Sequence, residues 1–353
     1  MAFIPDRLKS ARIINGLSLQ GLADSIHQLG HSITKQALSK YEQGESSPNS
    51  EMIGLLCDIL SVRPDYFAND IPVEFGKLEF RKLSSYPAKE RERLEEIVKD
   101  HVRRYLELEE ILNLQVTFEN PLKGIPITDL PSIDKAANQL REAWKLGENA
   151  IPNTIELLEE HGIKVLEIES DVKLDAFSTE INNTQQLVVL NSAKLDSSLD
   201  RKRFTVLHEL GHILLDLEQF DKKIREKYCH YFAGSLLFPR KRIIAELGEK
   251  RSKLSFRELG VLKQEYGISM QAIVYRAKEL EIINQSTFKQ FYFMFNKLGY
   301  RNNEPYLYSG FEKSDRFSQL LFRGIVEEAI TMSKAAALSN QKLADFRREN
   351  MII

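Results

Sequence analysis

The stretch RKRFTVLHELGHILLDL, residues 201–217, decides how the second half of this chain is read. Its apolar residues recur at helical spacing, and positions i and i+4 of an α-helix share one face. His208 and His212 can therefore aim both imidazoles at one cation, with Glu209 alongside. The flanking RFTVL and ILLDL make the rest of that helix apolar. Two histidines and a glutamate set among such residues are costly unless they are paired. A pair of surface histidines on an amphipathic helix is the plainer alternative.

The chemistry this spacing suits is metal-assisted hydrolysis, because the segment has the HExxH form of zinc peptidases. A catalytic Zn2+ takes three protein ligands and keeps a fourth position open for water. Glu209 would accept the water's proton and pass it to the leaving amine, while the cation polarises the scissile carbonyl. A third ligand is expected from the next helix, EKYCHYFAGSLLFP (226–239), where Glu226, Cys229 and His230 are all chemically able. Spacing alone does not choose among them.

Upstream, IDKAANQLREAWKLG and IPNTIELLEEHG read as helices, and GIKVLEIES, DAFSTEIN and QLVVLN as strands of a small meander. Helices then dominate to residue 283, so 131–284 is expected to be an α+β domain. QLVVLN is read as an edge strand to which an extended substrate could add. Asp175 and Ser178 are candidates for contacts behind the metal ligands. The prolines of FENPLKGIPITDLPSI punctuate an extended stretch and place a boundary near 130. Residues 285–353, opening on the aromatic run STFKQFYFMFNKLGY, read as a small, mostly helical C-terminal region without an assigned role; a module for oligomerisation is the plainer reading and a second DNA or partner contact the sharper one.

Toward the N-terminus, residues 5–69 carry the periodicity of five short helices, an all-α unit assigned to 1–70. Residues 88–113 read as a charged helix with one apolar face inside a helical connector, 71–130. Within the first unit, Ser32 is expected to cap a helix over Ile33–Gln43 that turns Ile33, Ala37, Leu38 and Tyr41 inward. Thr34, Lys35, Gln36, Ser39 and Lys40 then face outward, where they could reach base edges or phosphates of double-stranded DNA. A protein-binding helical bundle is the alternative.

Composition limits the rest. The chain has 353 residues, 42% hydrophobic and 28% charged, which suits several globular domains. Its net charge of −2 makes no global case for nucleic-acid binding, so any such surface has to be local. Cys57 and Cys229 stand far apart and suggest no disulfide framework. No secretory signal and no apolar run of the ~20 residues that span a bilayer is visible, so a cytoplasmic protein without a membrane partner is expected.

Two resemblances sharpen these readings. Residues 1–69 resemble the Xre/Cro type of helix-turn-helix through NGLSLQGLADSI, ITKQALSKYEQGESSPN and LCDILSVRPDYF. That implies operator binding, commonly as a homodimer reading two half-sites. Leu19 departs from the pattern where a glutamine is usual, and the turn HQLGHS is longer. Residues 135–284 look like the ImmA/IrrE metallo-endopeptidases through LREAWKLGENAIPNTIELLEEHGIKV, DAFS, LVVLNS, RKRFTVLHELGHILL and EKYCHYFAGSLLFP. The resemblance implies Zn2+ on His208, His212 and Glu226, with Glu209 as general base. Cys229 then becomes a small buried residue and His230 a surface residue or one behind the ligands. Such proteins typically cleave a DNA-binding repressor and so release stress, mobile-element or prophage genes, some beside toxin genes. A fused regulator and endopeptidase is the expectation; a non-proteolytic repressor or antitoxin with a structural or sensing metal domain is the alternative.

Overall fold

A computed structural model describes residues 3–68, 71–76, 87–171, 173–301 and 303–350. They form two compact units. One comprises the described residues of Met1–Gly76 and Phe80–Gln115 together with Arg316–Ile353, and the other is built from Val116–Asp315. The stretch 116–130 and the aromatic segment after 285 therefore lie with the second unit, and the last helices lie with the first.

The first unit opens with four helices, α1 (Pro5–Ile14), α2 (Leu19–Gln28), α3 (Lys35–Glu42) and α4 (Ser50–Leu60), and a 3-10 turn at Pro64–Ala68 where a fifth helix was expected. Ser18, Thr34 and Asn49 cap α2, α3 and α4 by accepting backbone N–H bonds. Leu8, Leu22, Ile26, Leu38, Leu56 and Phe67 close the core. The expected start of the third helix at Ile33 is corrected. Thr34 is extended, its Oγ1 accepts from Ala37 N, and regular helix begins at Lys35, so Ser32 is not the cap. In the long turn before it, Ile33 N–H donates to His27 Nε2 at 3.2 Å. Helix α5 (Ala88–Leu112) buries Leu94, Val98, Val102 and Leu108 and joins Asp100 to both Arg7 and Arg104 at 3.1 Å.

The second unit starts with α6 (Leu130–Ala143), where Asp129 and Ser132 form a capping box around Pro131. That proline opens a helix rather than extending the preceding stretch. After α7 (Thr154–Glu160) come β1 (Ile163–Ile168), β2 (Ala176–Ile181) and β3 (Gln185–Asn191). The sheet order is β1-β3-β2, with β3 parallel to β1 and antiparallel to β2. The expected meander and the edge position of QLVVLN are both overturned: β3 is central. Its run Leu187–Leu190 is buried throughout, as a strand flanked on both sides requires. The outer strands of the described sheet are β1 and β2.

Seven helices follow: α8 (Ser192–Leu195), α9 (Leu199–Leu214), α10 (Lys222–Leu237), α11 (Arg240–Leu247), α12 (Phe256–Tyr266), α13 (Met270–Glu279) and α14 (Gln285–Lys297). Val206, Leu207 and Leu210 of α9 and Phe232 and Leu236 of α10 share one core with the sheet. The chain then runs back across the unit without regular structure. Glu304 accepts from the N–H groups of Met270 and Gln271 at the start of α13 and from Lys263 Nζ. Glu312 accepts from Thr154 N and Oγ1 at the start of α7 and pairs with Arg203 of α9. Ser314 N–H donates to Glu167 Oε2 at 2.8 Å beside β1. Carboxylates at helix N-termini satisfy donors the helix itself cannot.

In the first unit, α15 (Arg316–Val326), α16 (Met332–Leu338) and α17 (Leu343–Glu349) gather Leu320, Leu321, Ile330, Leu338 and Phe346 around Leu108 of α5. No helix among the described residues is long and apolar enough to cross a membrane.

Candidate metal centre and DNA-facing helix

Helices α9 and α10 meet where Gly211 faces Cys229. A Cβ at 211 would stand 3.3 Å from the Cα, Cβ and Sγ of Cys229, so glycine on one helix and a small side chain on the other set the helix separation. Cys229 is fully buried there, and its sulfur belongs to neither cluster of ligand-type atoms found among the described residues.

That separation brings three groups to one point. His208 Nε2 lies 3.2 Å from Glu226 Oε2 and 3.2 Å from His212 Nε2, and His212 Nε2 lies 3.7 Å from Glu226 Oε1. Burial holds the His208 pKa below its ordinary value, against the opposing pull of Glu226, so its imidazole is neutral near pH 7. Two imidazole nitrogens and a carboxylate converging this closely form a donor set that suits a divalent cation, Zn2+ among them. His208 Nδ1 is buried with no hydrogen-bond partner among the described residues. The contacts of its Nε2 are thus the polar contacts that orient the ring.

Glu209 is 3% exposed, and Ser178 Oγ donates to its Oε2 at 2.8 Å. Ser178 sits on β2 opposite Val188, so the sheet holds the carboxylate from behind. Of the two residues suggested for this supporting role, Ser178 makes the contact. Asp175 instead pairs with Arg201, and its carbonyl accepts from Asn191 N–H, so its suggested role is corrected. His230 is exposed, with Nδ1 bonded to the Glu226 carbonyl at 2.7 Å and its ring 4.3 Å from that of His208. It flanks the cluster within reach of His208 and Glu226.

On α3, Lys35, Gln36 and Lys40 are exposed and Ser39 is half-buried, its hydroxyl accepting from Gln43 Nε2. Thr34 is exposed too, but its oxygen is engaged as the cap. Leu19 packs against the core of the first unit.

The arrangement defines a class: a small helical unit of the helix-turn-helix kind joined to an α+β domain in which histidine and carboxylate side chains that could hold a metal ion converge. Residues 8–67 match the helix-turn-helix family model, and residues 158–278 match the peptidase M78 family, described as an IrrE N-terminal-like domain. The chain therefore carries a helix-turn-helix DNA-binding domain fused to an ImmA/IrrE-like peptidase domain. No curated protein matches it.

Proposed function

We propose that this chain is a cytoplasmic transcriptional regulator whose second unit is a zinc-dependent endopeptidase acting on a regulatory protein such as a repressor, in stress, mobile-element, prophage or toxin–antitoxin control. The convergence of His208 Nε2, His212 Nε2 and the Glu226 carboxylate beside a buried Glu209 carries this reading. In it, His208, His212 and Glu226 hold Zn2+, which when bound polarises the scissile carbonyl and acidifies water. Glu209 accepts the proton of the attacking water and delivers it to the leaving nitrogen. Ser178 fixes the Glu209 rotamer by its hydrogen bond, so the carboxylate stays beside the two imidazoles. The neutral state of His208 keeps its Nε2 lone pair available as a ligand.

The first unit supplies location. Lys35, Gln36, Ser39 and Lys40 of α3 contact operator DNA, Thr34 fixes where that helix starts, and a homodimer reads two half-sites. Binding there concentrates the peptidase beside regulators of the same promoter.

Metal analysis of the purified full-length protein should find about one zinc per chain, with zinc kept in Glu209→Gln and lost in Glu226→Ala. In cells, Glu209→Gln should abolish new protein N-termini that appear with the wild type. Unchanged N-termini in that variant remove Glu209 from its role. Identical sets of protein N-termini with and without the protein favour a non-proteolytic repressor or antitoxin.

A further inference from the structure

A cavity of about 1030 Å³ lies in the second unit where α9, α10, α13 and α14 meet Arg301, Asn303, Glu304 and Leu307. Its walls include Phe204, His230, Ala272, Tyr275, Tyr292 and Leu307. His230 belongs both to this lining and to the cluster around His208 and Glu226, so one side chain separates the cavity from those two residues. Helical spacing explains the adjacency. Phe204 lies one turn before His208 on α9, and His230 and Gly234 follow Glu226 at one-turn steps on α10. The His230 ring stands 4.3 Å from that of His208 and 5.8 Å from that of Phe204.

The wall mixes apolar faces with charged groups, Lys227 and Arg301 among them, and three of its cations already have carboxylate partners. Lys263 is engaged by Asp200 and Glu304, Arg276 by Asp134, and Arg201 by Asp175. Glu279 is a weak counter-charge for a cation, because burial pushes its carboxyl up to about 7 with Arg276 and Lys227 nearby. Tyr275 and Leu307 remain 55% and 70% exposed, so apolar surface is left to cover. A Cβ at Gly234 would meet only Arg276 Cδ, at 3.8 Å, so the glycine leaves room on that wall.

We propose that this cavity is the specificity subsite of the peptidase and seats a large aromatic or aliphatic side chain of the substrate residue adjoining the scissile bond. This rests on the zinc-peptidase reading above. Tyr292 and Leu307 lie beyond the residues 158–278 that match the family, so part of the selectivity belongs to this chain's own C-terminal segment.

The test titrates zinc-loaded full-length protein with dipeptide hydroxamates that carry benzyl, methyl or 4-aminobutyl on the carbon next to the zinc-binding group. Burying a phenyl ring should make the benzyl compound bind about tenfold or more tightly than the methyl one. Ala272→Phe, which fills the cavity, should bring that ratio near one. Tyr275→Ala, at an exposed position, should lower it severalfold and serves if the first variant misfolds. Equal wild-type affinities, or tightest binding of the aminobutyl compound, overturn the subsite. If none of the hydroxamates binds a chain that metal analysis shows to hold zinc, the peptidase reading falls and takes the subsite with it.

Discussion

Replacing Glu312 by alanine should destabilise the second unit by about 3–5 kcal/mol, because a buried ion loses its counter-charge. The side chains of Arg203 and Glu312 are both 0% exposed. Without the carboxylate, the Arg203 guanidinium keeps only carbonyl acceptors, Ile151 O at 2.6 Å and Pro152 O at 3.2 Å among them. Thr154 at the start of α7 also loses the oxygen its N–H and hydroxyl share. For a unit of about 200 residues, each kcal/mol moves the melting temperature by ~2–4 °C, so a fall of about 6–20 °C is expected. Differential scanning calorimetry of the full chain measures it. The paired variant Arg203→Met with Glu312→Leu should recover most of the loss, since removing both charges is often close to neutral. A loss below about 1 kcal/mol in Glu312→Ala, or a double variant as unstable as the single one, would refute the account. Arg203 lies five residues before His208 on α9, so zinc affinity should weaken together with stability.

Ser178→Ala should keep zinc but lower kcat/KM about tenfold or more, since a hydrogen bond to a buried carboxylate contributes ~1.5–3 kcal/mol; an unchanged rate would show that the sheet does not position Glu209. On the DNA side, Lys35→Ala with Gln36→Ala should weaken operator binding in a gel-shift titration while leaving the melting temperature alone. Thr34→Ala should instead cost about 1 kcal/mol of stability through the lost cap, and a purely DNA-contact effect there would reverse that assignment. His101 in α5 has its pKa lowered to about 4 by burial, with Arg104 adding to it and Asp100 opposing. The unfolded chain then takes up this proton first, so stability is full above about pH 6.5 and falls, by on the order of 2 kcal/mol, as pH drops toward 4. Denaturant titrations across that range should lose the slope in His101→Leu.

The parts of this molecule visible in its sequence are those governed by short spacing. His208, Glu209 and His212 meet because one helix turn returns to the same face, and the cores of α2 and α3 follow from the same period. Why the Glu226 carboxylate, and not the Cys229 thiol, lies beside His208 is different in kind. It depends on Gly211 lying against Cys229, a contact between two helices that turns the thiol into the packing surface. Strand order escaped for the same reason: β2 and β3 are neighbours in the chain, but β1 reaches β3 by a parallel pairing that no local pattern encodes. The start of α3 turned on a choice between two hydroxyl residues, Ser32 and Thr34, that propensity does not separate. Glu304 and Glu312 read as ordinary loop charges because their partners, the first turns of α13 and α7, lie about 35 and 160 residues away.

Those two glutamates also mark where this enzyme-like module really ends. The family match stops at 278, yet the starts of α13 and α7 are closed by residues 26 and 34 positions further on. A fragment trimmed to that match would expose raw helix ends, and a chimera joined there would inherit a scaffold missing its fastenings. Shuffling between relatives should therefore succeed at a junction near 315 and fail at one near 280, making the unadorned tail part of the heritable unit.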